Sequence, residues 1–431
     1  MPARSDFVHF LPARLRAAGT SAALLFLLRW LLISGLIGAL AGTASAGFLL
    51  ALDWVTQWRE GHPWALALLP GAGLLIGLAY HYFGEQAVRG NNLILDEIHR
   101  PSQRIPLRML PLVLGGTLAT HLAGGSAGRE GTAVQMGGAL ADQLTRWLGL
   151  RPRDRRLLLI AGMSAGFASV FGTPLAGAVF GLEVFLLGSI RYEAVLPSFL
   201  AAVLADAVTR AWSVGHTPYP VLAALPLTAT SLGCTLLVGV LCGLVARGFA
   251  GLTHGIARFF GRLAYTPLRP VAGGIVVAGL LWMFGANRFG GLGIPVIVEA
   301  FQHPLPPTDW ALKLALTALT LGCGFKGGEV TPLFFIGAAL GSALALVLPL
   351  PVALLAAMGF VGVFAGAANT PLACTLMGLE LFGGQAGIYL ALTCVVAYLF
   401  SEHRGIYSSQ VVGQAKHLRL GREQGKRLGD L

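Results

Sequence analysis

Residues 30–52, 157–182, 211–246 and 330–379 carry no Lys, Arg, Asp or Glu. A helix needs about 20 mainly apolar residues to cross the hydrocarbon core of a bilayer. Each stretch therefore holds at least one crossing, and the last holds two or more. None alternates polar and apolar residues in the segments of about ten that a membrane β-barrel uses. A soluble fold is excluded, and with 55% hydrophobic residues so is disorder. Glycine supplies 59 of 431 residues without a collagen-like period, which in a membrane points to closely packed helices. The predicted class is an all-α polytopic membrane protein. Arg4, Arg14 and Arg16 precede a run too long for a signal-peptide h-region, so no cleaved leader is expected.

The 30 basic and 19 acidic side chains leave a net charge of +11. Many cations fall in short connections, such as Arg151, Arg153, Arg155 and Arg156, or near the C-terminus, such as Lys416, Arg419, Arg422, Lys426 and Arg427. That distribution reads as the positive-inside rule with contact to anionic lipids. Nucleic acid is excluded as a partner, because no basic domain with interleaved aromatics is present. Residues 1–21, with Phe7, Phe10, Leu11 and Leu15 among the arginines, are expected as a cytoplasmic interfacial segment. Residues 408–431 are expected as a short basic cytoplasmic tail. Cys234, Cys242, Cys323, Cys374 and Cys394 all lie in apolar stretches and read as packing residues. His99, His121 and His403 are scattered, and no metal-ligand spacing appears. Neither a cofactor, a metal nor an enzymatic activity is expected.

The chain repeats itself. Thr173-Pro-Leu-Ala176 returns as Thr370-Pro-Leu-Ala373, and Gly181-Leu-Glu183 returns as Gly378-Leu-Glu380. Upstream of each copy stands a matching pair, Glu130-Gly131-Thr132 and Glu329-Val330-Thr331. Two features in one order predict two repeats, about 22–215 and 222–407, in a single transport domain. Repeats of this kind place a substrate site at their interface.

Both Glu-x-Thr copies sit in glycine-rich loops, 124–132 and 322–332, that cannot continue as membrane helix. Glycine costs about 1 kcal/mol and proline about 3 kcal/mol in a helix interior. Each loop leads into an apolar run, so each aims unpaired N–H groups and a positive dipole end at what lies before the helix. Two such ends in one core make an anion site. Glu130 is the residue hardest to explain structurally, since an intramembrane carboxylate is costly unless it has a partner or exchanges a proton. It reads as a proton carrier or gate, with capping against Arg129 as the bland alternative. Glu329 has the same spacing with Lys326 nearby, with a cap or ion pair as its alternative. Thr132 and Thr331 are either hydroxyl donors to an anion or bonds back to their helices. Glu183 and Glu380 read as interfacial or structural. Asn91 opens another apolar stretch, as an amide donor or simply as a turn and N-cap residue. Tyr407 closes the last one, as an inward hydrogen-bond donor or, on sequence alone, as part of the aromatic belt.

Taken in order, these motifs resemble the CLC superfamily of chloride channels and proton-coupled anion exchangers, from about residue 22 to Tyr407. Gly128-Arg129-Glu130-Gly131 resembles that family's gating-glutamate motif, and Phe171-Gly-Thr-Pro-Leu-Ala-Gly177 its helix-connecting motif. Tyr407 falls where a tyrosine closes the central anion site. The departures narrow the resemblance. Asn91 stands in place of the anion-contacting serine, Thr132 follows the gating motif in place of proline, and Val184 replaces the inner glutamate. Together with Glu329 and Thr331, this pattern is similar to the fluoride/proton antiporter clade. The resemblance implies inverted repeats and a homodimer with one pathway per subunit, in a bacterial inner membrane with both termini cytoplasmic. It also implies Glu130 as gate and proton carrier, Asn91, Thr331 and Tyr407 as anion donors, and Glu329, Gly128, Arg129, Gly131, Thr132 and Val330 in support. A chloride/proton exchanger or chloride channel is the alternative.

Overall fold

The computed structural model describes residues 22–431; the predicted interfacial segment 1–21 lies outside the described residues. The chain is helical almost throughout. The first apolar run becomes α1 (Ala22–Glu60), and α2 (Leu69–Phe83) follows a 3₁₀ turn. A short helix α3 (Asn91–His99) leads to α4 (Met109–Leu122), α5 (Glu130–Trp147), α6 (Pro152–Phe171), α7 (Pro174–Glu183) and α8 (Val195–Ala211). The second half opens with the long α9 (Ala229–Phe260), whose Thr228 and Ser231 cap each other's backbone N–H. It continues through α10 (Leu268–Phe284), α11 (Ala286–Phe289), α12 (Ile294–Glu299), α13 (Asp309–Gly322) and α14 (Val330–Leu344). The last helices are α15 (Val352–Ala368), α16 (Pro371–Phe382) and α17 (Gly387–Phe400).

Among the described residues, four segments, Leu24–Glu60, Pro63–Phe83, Tyr192–Ala211 and Ala229–Phe260, are long and apolar enough to cross a membrane. Many of the others are shorter. At about 1.5 Å per residue, a helix such as the ten-residue α7 spans only about half of a 30 Å core. Such helices must end inside the protein, where every free N–H and C=O needs a partner.

The two halves meet that demand in the same way. Helices α6 and α15 stop at left-handed residues, Gly172 (φ +72°) and Asn369 (φ +59°). A Thr-Pro pair then restarts the chain as α7 and α16, with proline at a position that needs no N–H donor. The remaining donors are taken by a carboxylate from the opposite half. Leu175 and Ala176 donate N–H to Glu380 at 3.0 and 2.8 Å, and Leu372 and Ala373 donate to Glu183 at 3.1 and 2.9 Å. Glu183 and Glu380 are thus reciprocal helix caps. Glycine lets the neighbouring helices approach. A Cβ on Gly137 would lie 2.2 Å from the Gly162 carbonyl, and one on Gly337 would lie 2.1 Å from that of Gly359. These contacts join α5 to α6 and α14 to α15.

Residues 408–431 pack onto the helical body. Strand β1 (Leu186–Leu187) pairs in parallel with β2 (Val411–Val412), and the chain then folds back, with Val412 donating N–H to Lys426 O and Leu428 to Gln410 O. Lys416 Nζ donates to Tyr398 O, the Ser401 hydroxyl, Asn369 Oδ1 and Glu402 O. Arg427 pairs with Asp96 of α3 at 2.9 Å. The basic residues expected as lipid and orientation charges therefore include at least two internal fasteners. Arg155 is a third: it bonds Glu97 at 2.8 Å and Asp142 at 2.5 Å, tying the end of α3 to α5.

Removing one cap leaves two N–H groups unpaired, at a cost of about 1–3 kcal/mol for a buried group. Glu183 is 7% exposed while Glu380 is partly exposed. Glu183→Ala is therefore expected to lower the thermal midpoint of the detergent-solubilised protein more than Glu380→Ala. Equal midpoints for the two variants and the parent would contradict the capping role.

Candidate functional site

The glycine-rich loops before α5 and α14 meet face to face. Gly128 donates its N–H to Gly328 O at 2.6 Å, and Gly328 donates to Gly128 O at 2.7 Å. This one-pair antiparallel bridge excludes side chains: a Cβ on Gly128 would stand 2.8 Å from the Pro332 ring, and one on Gly328 2.7 Å from Gly131 N. It brings the N-termini of α5 and α14 together, so two positive dipole ends share one buried space.

Glu130 opens α5, yet its carboxylate serves α14. Thr331 donates its N–H to Oε2 at 3.0 Å, and its hydroxyl lies 2.6 Å from both carboxylate oxygens. Arg129 N–H donates at 3.2 Å, and Arg129 Nε stands 3.5 Å from Oε1. The Glu130 residue is 1% exposed. A carboxylate held by helix N–H groups, a hydroxyl and a nearby guanidinium stands where those donors would hold a free anion.

A cavity of about 160 Å³ adjoins this point, its walls including Asn91, Gln135, Lys326, Glu329, Tyr407 and Tyr80. At about 30 Å³ of liquid volume per water, it has room for a small anion together with part of its hydration shell. Gly131 lies beside both carboxylate and cavity: a Cβ there would stand 3.1 Å from Gly328 Cα, 3.3 Å from Asn91 Nδ2 and 3.6 Å from Glu329 Oε2. Asn91 is 8% exposed, and its Oδ1 has no partner among the described residues. Its neighbour Asn92 accepts the Ser409 N–H at 3.0 Å, which couples α3 to the chain just after Tyr407. Glu329 occupies the N-cap position of α14 and lines the same cavity.

The structure thus brings together Glu130, Thr331, Arg129 and the glycines at one point, and Asn91, Glu329 and Tyr407 at the adjoining cavity. Val330 is a buried apolar residue in the first turn of α14. Thr132 turns away, its hydroxyl bonded to Thr117 Oγ1 at 2.7 Å. Of the scattered histidines, His99 meets Phe185 O, His121 meets Gly128 O and His403 meets Glu423. Gln135 and Tyr80 are cavity residues that sequence reasoning misses. Gln135 stands out only as a lone amide in an apolar run, and Tyr80 lies in a helix with no distinguishing pattern.

A helical membrane fold in which two broken helices present their N-termini to a buried carboxylate is an anion-transport architecture. Residues 72–402 match the family described as voltage gated chloride channel, and the chain belongs to that CLC family. It is 54% identical over 401 residues to a "Chloride/fluoride channel protein" of Pseudomonas syringae pv. tomato, covering 91% of this chain and 89% of the relative. A crystal structure of a CLC-type fluoride/proton antiporter superposes with a TM-score of 0.87 at 36% identity, covering 91% of this chain and 99% of the other. A slow cyanobacterial Cl⁻/H⁺ antiporter superposes at 0.75 with 22% identity, over 86% and 94% of the chains, and shares the fold. The protein is an integral membrane protein of this family.

The Thr331–Glu130 contact is open to a double-mutant cycle. A hydrogen bond to a charged group contributes about 1.5–3 kcal/mol. Thr331→Val is expected to lower the thermal midpoint of the parent protein clearly, and to lower it much less in a Glu130→Gln background. Additive shifts would show that the two side chains do not interact.

Proposed function

We propose that this chain is a fluoride/proton antiporter that exports fluoride on the inward proton gradient, with Glu130 as gate and proton carrier. The observation that carries the reading is the Glu130 carboxylate lodged on the Thr331 N–H and hydroxyl across the glycine bridge. Ionised, Glu130 competes with an anion for the same donors. Protonated, it holds a helix N-terminus less strongly, and an anion takes its place. One proton taken up is thereby tied to one change of occupant. The inner position carries Val184, which is fully buried, so the proton has no second carboxylate there. Glu329, lining the cavity beside Gly131, is the next one available.

Selectivity follows from the donors. Fluoride is small and strongly hydrated, so a site must replace its water with closely set hard donors. Asn91, Thr331 and Tyr407 supply an amide and two hydroxyls, with backbone N–H groups at the helix ends. Fluoride as cargo is supported by the 54%-identical chloride/fluoride channel protein and by the close superposition on a CLC-type fluoride/proton antiporter. The first of these relatives is named for chloride as well, which favours chloride exchange or a chloride channel as the second reading.

Residues 22–407 form one transport domain of two repeats, 22–215 and 222–407. The protein acts as a homodimer with one pathway per subunit, in contact with anionic lipids of the bacterial inner membrane, and both termini are cytoplasmic. It is a transporter without catalytic activity.

Liposomes containing the protein and loaded with fluoride should release it while taking up protons. Glu130→Gln is expected to reduce proton uptake by about tenfold or more, the scale of losing a proton-transfer group. Chloride flux equal to fluoride flux would remove the selectivity claim. Rapid anion flux without proton movement would identify a channel.

A further inference from the structure

Three lysines, one buried and two partly exposed, are held by the protein in different ways. Lys313 is fully buried, and its ammonium donates to Phe289 O at 2.9 Å and Gly291 O at 2.8 Å. Lys416 is surrounded by four oxygen acceptors. Lys416 thus has an acceptor for every N–H, and Lys313 has two carbonyls with the Phe335 ring 5.1 Å away. Lys326 differs: its Nζ stands 4.2 Å from the centre of the Tyr80 ring, and no hydrogen bond or close ion pair is made by its ammonium among the described residues.

The path of this side chain is specific. A Cβ on Gly116 of α4 would lie 2.9 Å from Lys326 Cβ and 3.0 Å from Cγ. The absence of a side chain at Gly116 lets the lysine stem pass along α4 to the Tyr80 ring. There the lysine lines the same cavity as Asn91, Glu329 and Tyr407. An aromatic face attracts a cation by about 0.5–2 kcal/mol but accepts no conventional hydrogen bond. Three N–H donors are left for whatever fills the cavity.

We infer that Lys326 is a direct anion ligand of the central cavity, its ammonium joining the Asn91 amide and the Tyr407 hydroxyl around one small anion. The inference rests on the anion pathway proposed above. The other cation on the cavity wall, Arg89, is bonded to the Asp96 carboxylate, so Lys326 is the lining cation left to offset the Glu329 carboxylate as an anion enters. An ammonium is a compact, strongly hydrated point charge that suits a small, hard anion better than the wide guanidinium fork of arginine. The glycine at position 116 and the ring of Tyr80 hold that charge at the cavity wall.

The test measures initial fluoride efflux from liposomes against internal fluoride concentration. It compares the parent, Lys326→Met, Lys326→Gln and the double variant Lys326→Met/Glu329→Gln. Each is first required to be monodisperse by size exclusion, and Lys326→Gln, which keeps a polar stem, is the arm to read if Lys326→Met misfolds. Loss of a direct charge contact predicts half-saturating fluoride raised about tenfold or more in both single variants. It also predicts no recovery in the double variant. Half-saturation within about twofold of the parent, a factor worth under 1 kcal/mol, would overturn the inference. Full recovery in the double variant would also overturn it, since Lys326 would then act only by neutralising Glu329. Absence of fluoride efflux from the parent would defeat the proposed transport function itself; a normal parent with an unaltered Lys326→Met defeats only the lysine.

Discussion

The two hydrogen bonds between Gly128 and Gly328 are the constraint on which the site depends. They are ordinary backbone contacts, yet they lie where water is scarce and where only glycines fit. By pinning the loops before α5 and α14 to each other, they place two helix N-termini at one point. The Glu130 carboxylate can then reach across to Thr331, and Gly131 lies beside Asn91 and Glu329. A side chain at either bridge position would separate the helix ends and with them the donors.

One piece of chemistry is used three times in the molecule. A carboxylate from one half accepts N–H groups at the start of a short helix in the other: Glu380 on α7, Glu183 on α16 and Glu130 on α14. The first two each take two successive backbone donors and close a helix that ends inside the protein. Glu130 takes one N–H of its helix, the Thr331 hydroxyl and the neighbouring Arg129 N–H, and it stands next to a cavity. Glu183 and Glu380 close helices away from that cavity, and it is the position of Glu130 beside it that supports the gating role proposed for this carboxylate.

Much of the site is legible in the sequence because its chemistry is unusual for a membrane. Glycine-broken apolar runs, the paired Glu-x-Thr spacing and the repeated Thr-Pro-Leu-Ala segment are local and conspicuous, and they lead to Glu130, Thr331 and the family. The direction of each side chain is not legible. Thr132 and Thr331 follow their glutamates at the same spacing, yet one bonds Thr117 behind its helix and the other bonds Glu130. Likewise Arg155, Lys416 and Arg427 have the sequence character of lipid-facing cations, but acidic or carbonyl partners distant in sequence turn them into fasteners.

By itself, the amino-acid order determined that this chain is a helical membrane protein with two interrupted, related halves, because charge-free runs and helix-breaking glycines act locally. Only the tertiary structure decided which donors converge. Lys326 illustrates the difference: its neighbours in sequence place it near Glu329, but its surroundings come from Gly116 and Tyr80 on other helices. Whether a polar group in a membrane is a cap, a fastener or a ligand depends on which partner lies within about 3 Å, and that distance is set by packing between segments far apart in the chain.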